Sequence, residues 1–276
     1  MQELTHYFVN ITKFFPSEFT KIIVTTGWDG VNPLSSTEII DLNGTCATSL
    51  PEYPMKLDGA TGVYVDGKII ICGGGYPISN NKCYQLEKGG ETFELVFTME
   101  AEERYAESIV HQGYMLRTGG YHNGGDNLIG TAEFINHQIS NNTAPKPKIL
   151  LPEPVSQHAI FSINKSTSFL IGGITSSAAY SRATHLYNQF DKYNDNTKKW
   201  TAGPKLNIGR KDLTAGVLID HETEQQHIAV VGGTNDEKLD SVELLLHGQD
   251  FWSKGTLIVI PEPAKQAKEQ HSIIEQ

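Results

Sequence analysis

An all-β fold of repeated antiparallel sheets is what this sequence predicts, on three observations. The first is composition. The chain has 26 Gly and 12 Pro among many Ser, Thr and Asn, which suits short strands joined by tight turns. The second is a recurring apolar run that ends in paired glycines: Ile69–Gly74, Tyr114–Gly120, Phe169–Gly173 and Ile228–Gly233. The third is the period. The last glycines are Gly27, Gly74, Gly120, Gly173 and Gly233, spaced by 47, 46, 53 and 60 residues.

Each unit reads as four strands. Strand A is apolar and precedes the doublet: Ala60–Val65, Glu107–His111, His158–Ile163 and Leu213–Ile219. Strand B ends in Gly73-Gly74, Gly119-Gly120, Gly172-Gly173 or Gly232-Gly233. A fifth, Ile22–Gly27, has Thr26 in place of the first glycine. Strand C carries a glutamate near its start, at Glu38, Glu133 and Glu243. Strand D carries an aromatic: Phe93, Trp200 and Trp252, with Trp200 set back by an insertion over 187–199. Paired glycines are expected where the chain turns sharply and other backbone comes close, because a Cβ would clash or be forced to φ > 0. One such sheet cannot bury both of its apolar faces. The units are therefore expected to stack face to face around an axis, as the blades of a β-propeller do.

A single domain over residues 1–276 follows, with repeats around 20–55, 56–101, 102–153, 154–207 and 208–256 and a closing strand within 257–276. Five repeats are visible. Either Gln270–Gln276 pairs with Ile22–Thr26 to close a five-bladed ring, or the chain holds an incomplete six-bladed one. In the second case His6–Ile11 is the first unit's own strand A.

The doublets, the strand C glutamates and the Trp200 and Trp252 positions resemble the kelch repeat over residues 20–256. There are departures. Thr26 replaces a glycine, the third unit lacks a clear strand D aromatic, and Thr184–Tyr187 replaces the glutamate region of the fourth. The resemblance implies a protein-interaction module rather than an enzyme. It also implies a binding face that combines the loops after strand B with the segments before strand A. By repeat position that face holds Trp28, Tyr76, Tyr121 and His122 from the first set. From the second it holds Lys56, Arg104, Gln157, Arg210 and Lys211. Arginine forks bind carboxylates and exposed Trp and Tyr anchor interfaces, so the expected partner is a peptide or protein, acidic or polar. The competing reading pairs Arg104 and Arg210 structurally with Glu103 and Asp212. A second functional class is a sugar-binding or galactose-oxidase-like propeller, although no copper-ligand set can be assigned residue by residue.

Charge narrows the partners further. The net charge of −10 comes from 22 basic and 32 acidic side chains and gives no overall attraction to nucleic acid. No stretch reaches the length of a membrane span, so no insertion is expected. The start, Met1–Val9, lacks the basic and apolar regions of a signal peptide. No cofactor or metal is expected. The cluster Asp220–His227 lacks the second imidazole of a zinc helix motif and reads as a hairpin turn. The glycines of Gly119–Gly125 lack the lysine and the helix of a phosphate loop.

Three cysteines bear on the compartment. Cys72 ends a strand B and Cys83 lies in the next strand C, at the glutamate position. Neighbouring strands place the two within reach of a disulfide, and the alternative is three buried reduced thiols. Cys46 takes the strand D aromatic position of its unit. Sequons occur at Asn10, Asn43, Asn141 and Asn164. The Cys46, Cys72, Cys83 pattern is similar to that of secreted invertebrate kelch proteins, without their further cysteine near His158. The expected location is extracellular, with the cytoplasm as the alternative.

Overall fold

A computed structural model describes residues 21–41, 47–75, 79–122, 127–136, 148–175, 180–188, 199–220 and 223–255. These residues are all-β, with no helix among them. The first sheet is β1 (Lys21–Trp28), β2 (Pro33–Asp41) and β3 (Ala47–Ser49), in that order. The second is β4 (Ala60–Val65), β5 (Lys68–Gly73), β6 (Asn80–Glu87) and β7 (Glu94–Arg104). The third begins with β8 (Glu107–His111) and β9 (Tyr114–Thr118). A short β10 (Tyr121–His122) then pairs back onto β7, before β11 (Thr131–Ile135) and β12 (Lys148–Leu150) complete the third sheet. In the fourth, a small ladder joins β13 (Val155–Ser156) to β16 (Ile174–Thr175). Its main sheet is β14 (Ala159–Ser162), β15 (Thr167–Ile171), β17 (Thr184–Asn188) and β18 (Lys199–Ala202). The fifth is β19 (Thr214–Ile219), β20 (Gln226–Val231), β21 (Val242–Leu245) and β22 (Ser253–Gly255).

Every main sheet is antiparallel and follows chain order. This is what short strands with tight turns produce, since consecutive strands pair without a crossover. Asp220 and Thr223, Glu224 and Gln225 lie between β19 and β20, with Glu224 N–H donating to Asp220 O at 2.7 Å.

Four apolar layers lie between consecutive sheets. Ile23 of the first packs with Tyr53, Ile71 and Phe93 of the second. Cys72, Phe97 and Met99 meet Met115 and Ile135 of the third. Ile109, Leu116 and Phe134 meet Leu151, Leu170 and Tyr187 of the fourth, with Trp200 against them. Phe161 and Ile171 meet Leu206, Val230 and Trp252 of the fifth. The strand D aromatics thus fill these layers: Phe93 and Trp252 are buried, and Trp252 donates its indole N–H to Pro204 O at 2.8 Å. Trp200 is half-buried, its ring 5.0 Å from that of Tyr187. The first strands of the second to fifth sheets (β4, β8, β14 and β19) lie side by side in sequence.

The doublets sit where two backbones converge, and each glycine has its own neighbour. A Cβ on Gly119 would lie 2.1 Å from Val155 O, and on Gly172 2.7 Å from Arg210 O. Both carbonyls belong to the linker that leads into the next sheet. The second glycine faces the start of its own unit instead: Gly173 meets Ser156 O at 2.6 Å and Gly233 meets Lys211 O at 2.6 Å. Thr26 holds the first-glycine position at φ 55°, a strained conformation for a β-branched residue.

Cys72 and Cys83 form a disulfide. The register corrects the assignment of Cys83 to the glutamate position. Cys72 pairs with Cys83, so Tyr84, facing Ile71, holds the position that Glu133 holds opposite Arg117. The bond is consistent with an extracellular protein. Asn164 is exposed in the β14–β15 turn, its side-chain oxygen accepting Ser166 N–H at 2.8 Å. Cys46, Asn10, Asn43, Asn141 and the segment 257–276 lie outside the described residues.

The strand C glutamates divide in two. Glu243 is buried and accepts from Arg210 at 2.9 Å and from the backbone of Asn207 and Ile208 at 2.6 and 3.0 Å. Glu133 is buried against Arg117 at 3.1 Å, and Arg117 also pairs with Glu103. Glu38 is exposed, which corrects its assignment to the same structural role. Its cross-strand neighbour is Val24, and by repeat position the counterpart of Arg210 for this sheet falls before β1, outside the described residues. A buried carboxylate needs a partner cation, and Val24 supplies none.

Candidate functional site

The segment before each strand A turns through a residue with positive φ. Gly59, Tyr105, Gln157 and Asp212 hold φ of 65°, 56°, 52° and 52°. Three of the four are not glycine, so the conformation costs energy and the surroundings must enforce it. A backbone chain does so. Tyr105 N–H donates to Gly59 O at 2.7 Å, Gln157 N–H to Tyr105 O at 3.1 Å, and Asp212 N–H to Gln157 O at 2.9 Å. The four corners therefore follow one another in an arc, one per sheet, at one end of the molecule.

The residues after each doublet arrive at the same end. Tyr121 and His122 pair with Arg104 and Glu103, Ile174 and Thr175 with Ser156 and Val155, and Thr234 with Lys211. The two loop sets expected to share a face are thus hydrogen-bonded to each other in three consecutive repeats.

Side chains on the arc couple neighbouring corners. Tyr105 donates its hydroxyl to Asp58 Oδ2 at 2.6 Å, and its ring lies 6.3 Å edge-on to Tyr121. The Arg104 guanidinium sits 5.4 Å over the Tyr105 ring. A Cβ on Gly59 would be 2.7 Å from that ring, so only glycine leaves it room. Gln157 donates to Asp212 Oδ1 at 2.7 Å, and Lys211 Nζ lies 3.7 Å from Asp212 Oδ2. Tyr180 donates to Asp236 at 2.8 Å, which holds its hydroxyl proton more tightly than usual.

Glu107 opens β8 two residues beyond the Tyr105 corner. Burial of its carboxyl, reinforced by the charge of Asp212, raises its pKa to about 8. Burial also raises Asp212, with Asp58 adding to the effect and Lys211 and Gln157 opposing it. Three carboxyl groups thus crowd one end of the molecule.

Of the residues expected on the face, Arg104, Tyr121, His122, Gln157 and Lys211 are brought together there, all half-buried. Trp28 is half-buried at the end of β1, opposite Pro33, and Lys56 is exposed ahead of Leu57. Tyr76 lies outside the described residues. Arg210 is corrected. It is fully buried, donating to Glu243, Gly232 O and Ser241 O, and so is no part of a surface. Nor does it match Arg104 in repeat position. Arg210 stands two residues before its corner, level with Leu57, Glu103 and Val155, whereas Arg104 stands one before, level with Asp58, Ser156 and Lys211.

The sequence reading missed Asp58, Tyr105, Glu107 and Tyr180, and named Asp212 only as a structural partner of the arginines. Tyr105 and Asp212 directly follow the basic residues singled out, so a corrected register would have found them. In comparisons with known proteins, no family model matches the chain and no curated protein matches it in sequence.

Proposed function

We propose that the chain is a kelch-type β-propeller whose corner-bearing end binds a peptide or protein partner. The observation that carries this reading is the pairing of the segment before strand A with the loop after strand B in consecutive repeats. That pairing gathers Tyr105, Tyr121, Arg104, Gln157 and Lys211 on one rigid rim. Aromatic and arginine side chains held by packed backbone are the usual anchors of recognition surfaces.

The expectation of an acidic partner leaned on Arg104 and Arg210. With Arg210 buried and Lys211 already beside Asp212, the carboxyl groups of Asp58, Glu107 and Asp212 set the balance near the corners. A partner that brings a lysine or arginine side chain relieves their mutual repulsion, so the partner proposed here carries a basic group. A displayed random-peptide library tests both parts. The expected outcome is enrichment of Lys- or Arg-bearing peptides, with binding weakened at least ~10-fold in Tyr121→Ala and Arg104→Ala and unchanged in Leu150→Ala. Enrichment of acidic peptides would reverse the charge assignment. Peptides that bind all three variants alike would move the site elsewhere, and retention of oligosaccharides instead of peptides would favour the sugar-binding class.

A further inference from the structure

The outer face of the fifth sheet is apolar and partly exposed. Cross-strand neighbours put Val231 and Val242 in one row of that face and Leu244 beside Ala229 in the next, with Leu218 beyond. Leu218 is 51% exposed and Val231 38%. The corresponding faces of the second, third and fourth sheets are each packed under the sheet that follows.

What covers those faces first, in each case, is a linker with fixed contacts. Leu151 and Leu206 stand six residues before the corners Gln157 and Asp212, are buried, and donate N–H to Gly130 O and Arg182 O of the preceding repeat at 3.0 and 2.9 Å. The carbonyl two residues before the corner takes the N–H of the preceding doublet's second glycine. These bonds are Gly74 to Glu103 O, Gly120 to Val155 O and Gly173 to Arg210 O, at 2.7, 2.9 and 2.8 Å. The corner N–H then bonds the preceding corner.

In the fifth repeat those groups have no described counterpart. No described carbonyl accepts from Gly233 N–H, and no described N–H reaches Asp212 O. A Cβ on Gly232 would meet only Leu239 O, at 3.5 Å, where Gly73, Gly119 and Gly172 each face the next linker. The sequence holds a matching piece further on. Leu151-Pro-Glu-Pro-Val-Ser-Gln157 is repeated as Ile260-Pro-Glu-Pro-Ala-Lys-Gln266. Corner spacings are 46, 52 and 55 residues, and Gln266 falls 54 after Asp212.

We infer that Ile260–Gln266 is a further linker of the same kind, docked on the fifth repeat. The described groups left for such a linker are Gly233 N–H, Asp212 O and the side chains of Leu218, Val231, Val242 and Leu244. By repeat position Lys265 matches Arg104 and Lys211. The fifth-sheet face is thereby an internal docking surface for the chain's own C-terminal segment. This inference is independent of what the rim binds.

Amide hydrogen exchange on the full chain, resolved by residue, tests it. Gly233 N–H should be protected to within ~10-fold of Gly74, Gly120 and Gly173, and exposed loop amides should not be. Ile260→Asp and Gln266→Pro, the latter unable to donate or to take positive φ, should each lower Gly233 protection by ~100-fold or more while Gly120 keeps its own. A Gly233 amide that exchanges as fast as an exposed loop in the unaltered chain overturns the proposal, without recourse to any variant. Protection that both variants leave unchanged also overturns it. Protection that rises with protein concentration overturns it in favour of a second copy on this face.

Discussion

Arg210 shows how much one buried side chain decides. Its guanidinium satisfies Glu243, Ser241 and the carbonyl of Gly232, tying the linker into the fifth sheet to the turn after β20. Removing one member of a buried ion pair strands the other. Arg210→Ala should therefore cost ~3–5 kcal/mol in urea unfolding, whereas Glu38→Ala, at an exposed position, should stay within ~0.5 kcal/mol. Equal losses would mean that the two glutamates play one role after all. The glutamates themselves were legible in the sequence, but their partners were not. Arg117 reaches Glu133 from the facing strand while Arg210 reaches Glu243 from a linker, and no spacing rule connects the two routes. The same limit explains Cys83. A slip of one residue in register separates the glutamate position from the disulfide position, and the first sheet fills the latter with a Thr25–Thr37 hydrogen bond of 2.8 Å.

At the level of elements, strands and doublets could be read because apolar runs and glycine pairs are local signals. The doublets were expected to mark close backbone approach, and the contacts name which backbone. Gly119→Ala would set a Cβ 2.1 Å from Val155 O at φ 59°, while Gly113→Ala, at φ 77°, meets nothing within 4 Å. Both substitutions pay the conformational penalty of ~1 kcal/mol, and only Gly119→Ala adds the clash. Its urea midpoint should fall by at least twice as much, and a comparable fall in both would remove steric approach as the reason for the doublet. The layer between the third and fourth sheets holds a device that sequence could not reveal. His111 meets Ser168 at 2.8 Å and Thr118 meets His158 at 2.7 Å, each pair crossing that layer. Burial lowers the two imidazoles from 6.5 to about 4 and about 3. Depressed values mean that the unfolded chain takes up protons first as pH falls below 6.5, so stability is full above that value and drains away toward pH 4. Each histidine accounts for on the order of 3 kcal/mol of that loss. His158→Gln, which keeps a hydrogen-bonding group for Thr118, should flatten the acid limb of a urea-midpoint profile. A limb as steep as in the unaltered chain would assign the acid loss to other groups.

At the scale of the molecule, sequence could assign which loops approach the corner-bearing end but not the character of that end. Its loops could be assigned by repeat position, whereas its charge depends on which side chains are buried, and that is settled only by packing across repeats. The crowding of Glu107, Asp58 and Asp212 there has a consequence opposite in sign to that of the histidines. A carboxyl raised from 4.5 to about 8 holds its proton in the folded chain after the unfolded chain has released it. Its contribution is complete below 4.5 and lost as pH rises through about 8. Asp212, also raised, acts in the same direction, and Lys211 beside it opposes the shift. Between 4.5 and 6.5 the two histidines raise stability with pH while Glu107 and Asp212 oppose them. Above 6.5 the histidines no longer oppose it, and Glu107 makes stability decline toward 8. Stability should therefore decline from pH 6.5 toward 8, and Glu107→Gln should weaken that decline while making stability rise more steeply with pH between 4.5 and 6.5. A basic peptide bound on the rim should do the same to the alkaline limb, because its cation stabilises the ionised carboxyl in the folded state alone. An alkaline limb unchanged by Glu107→Gln would show that this carboxyl is ionised like any surface glutamate, and would withdraw the electrostatic argument for a basic partner.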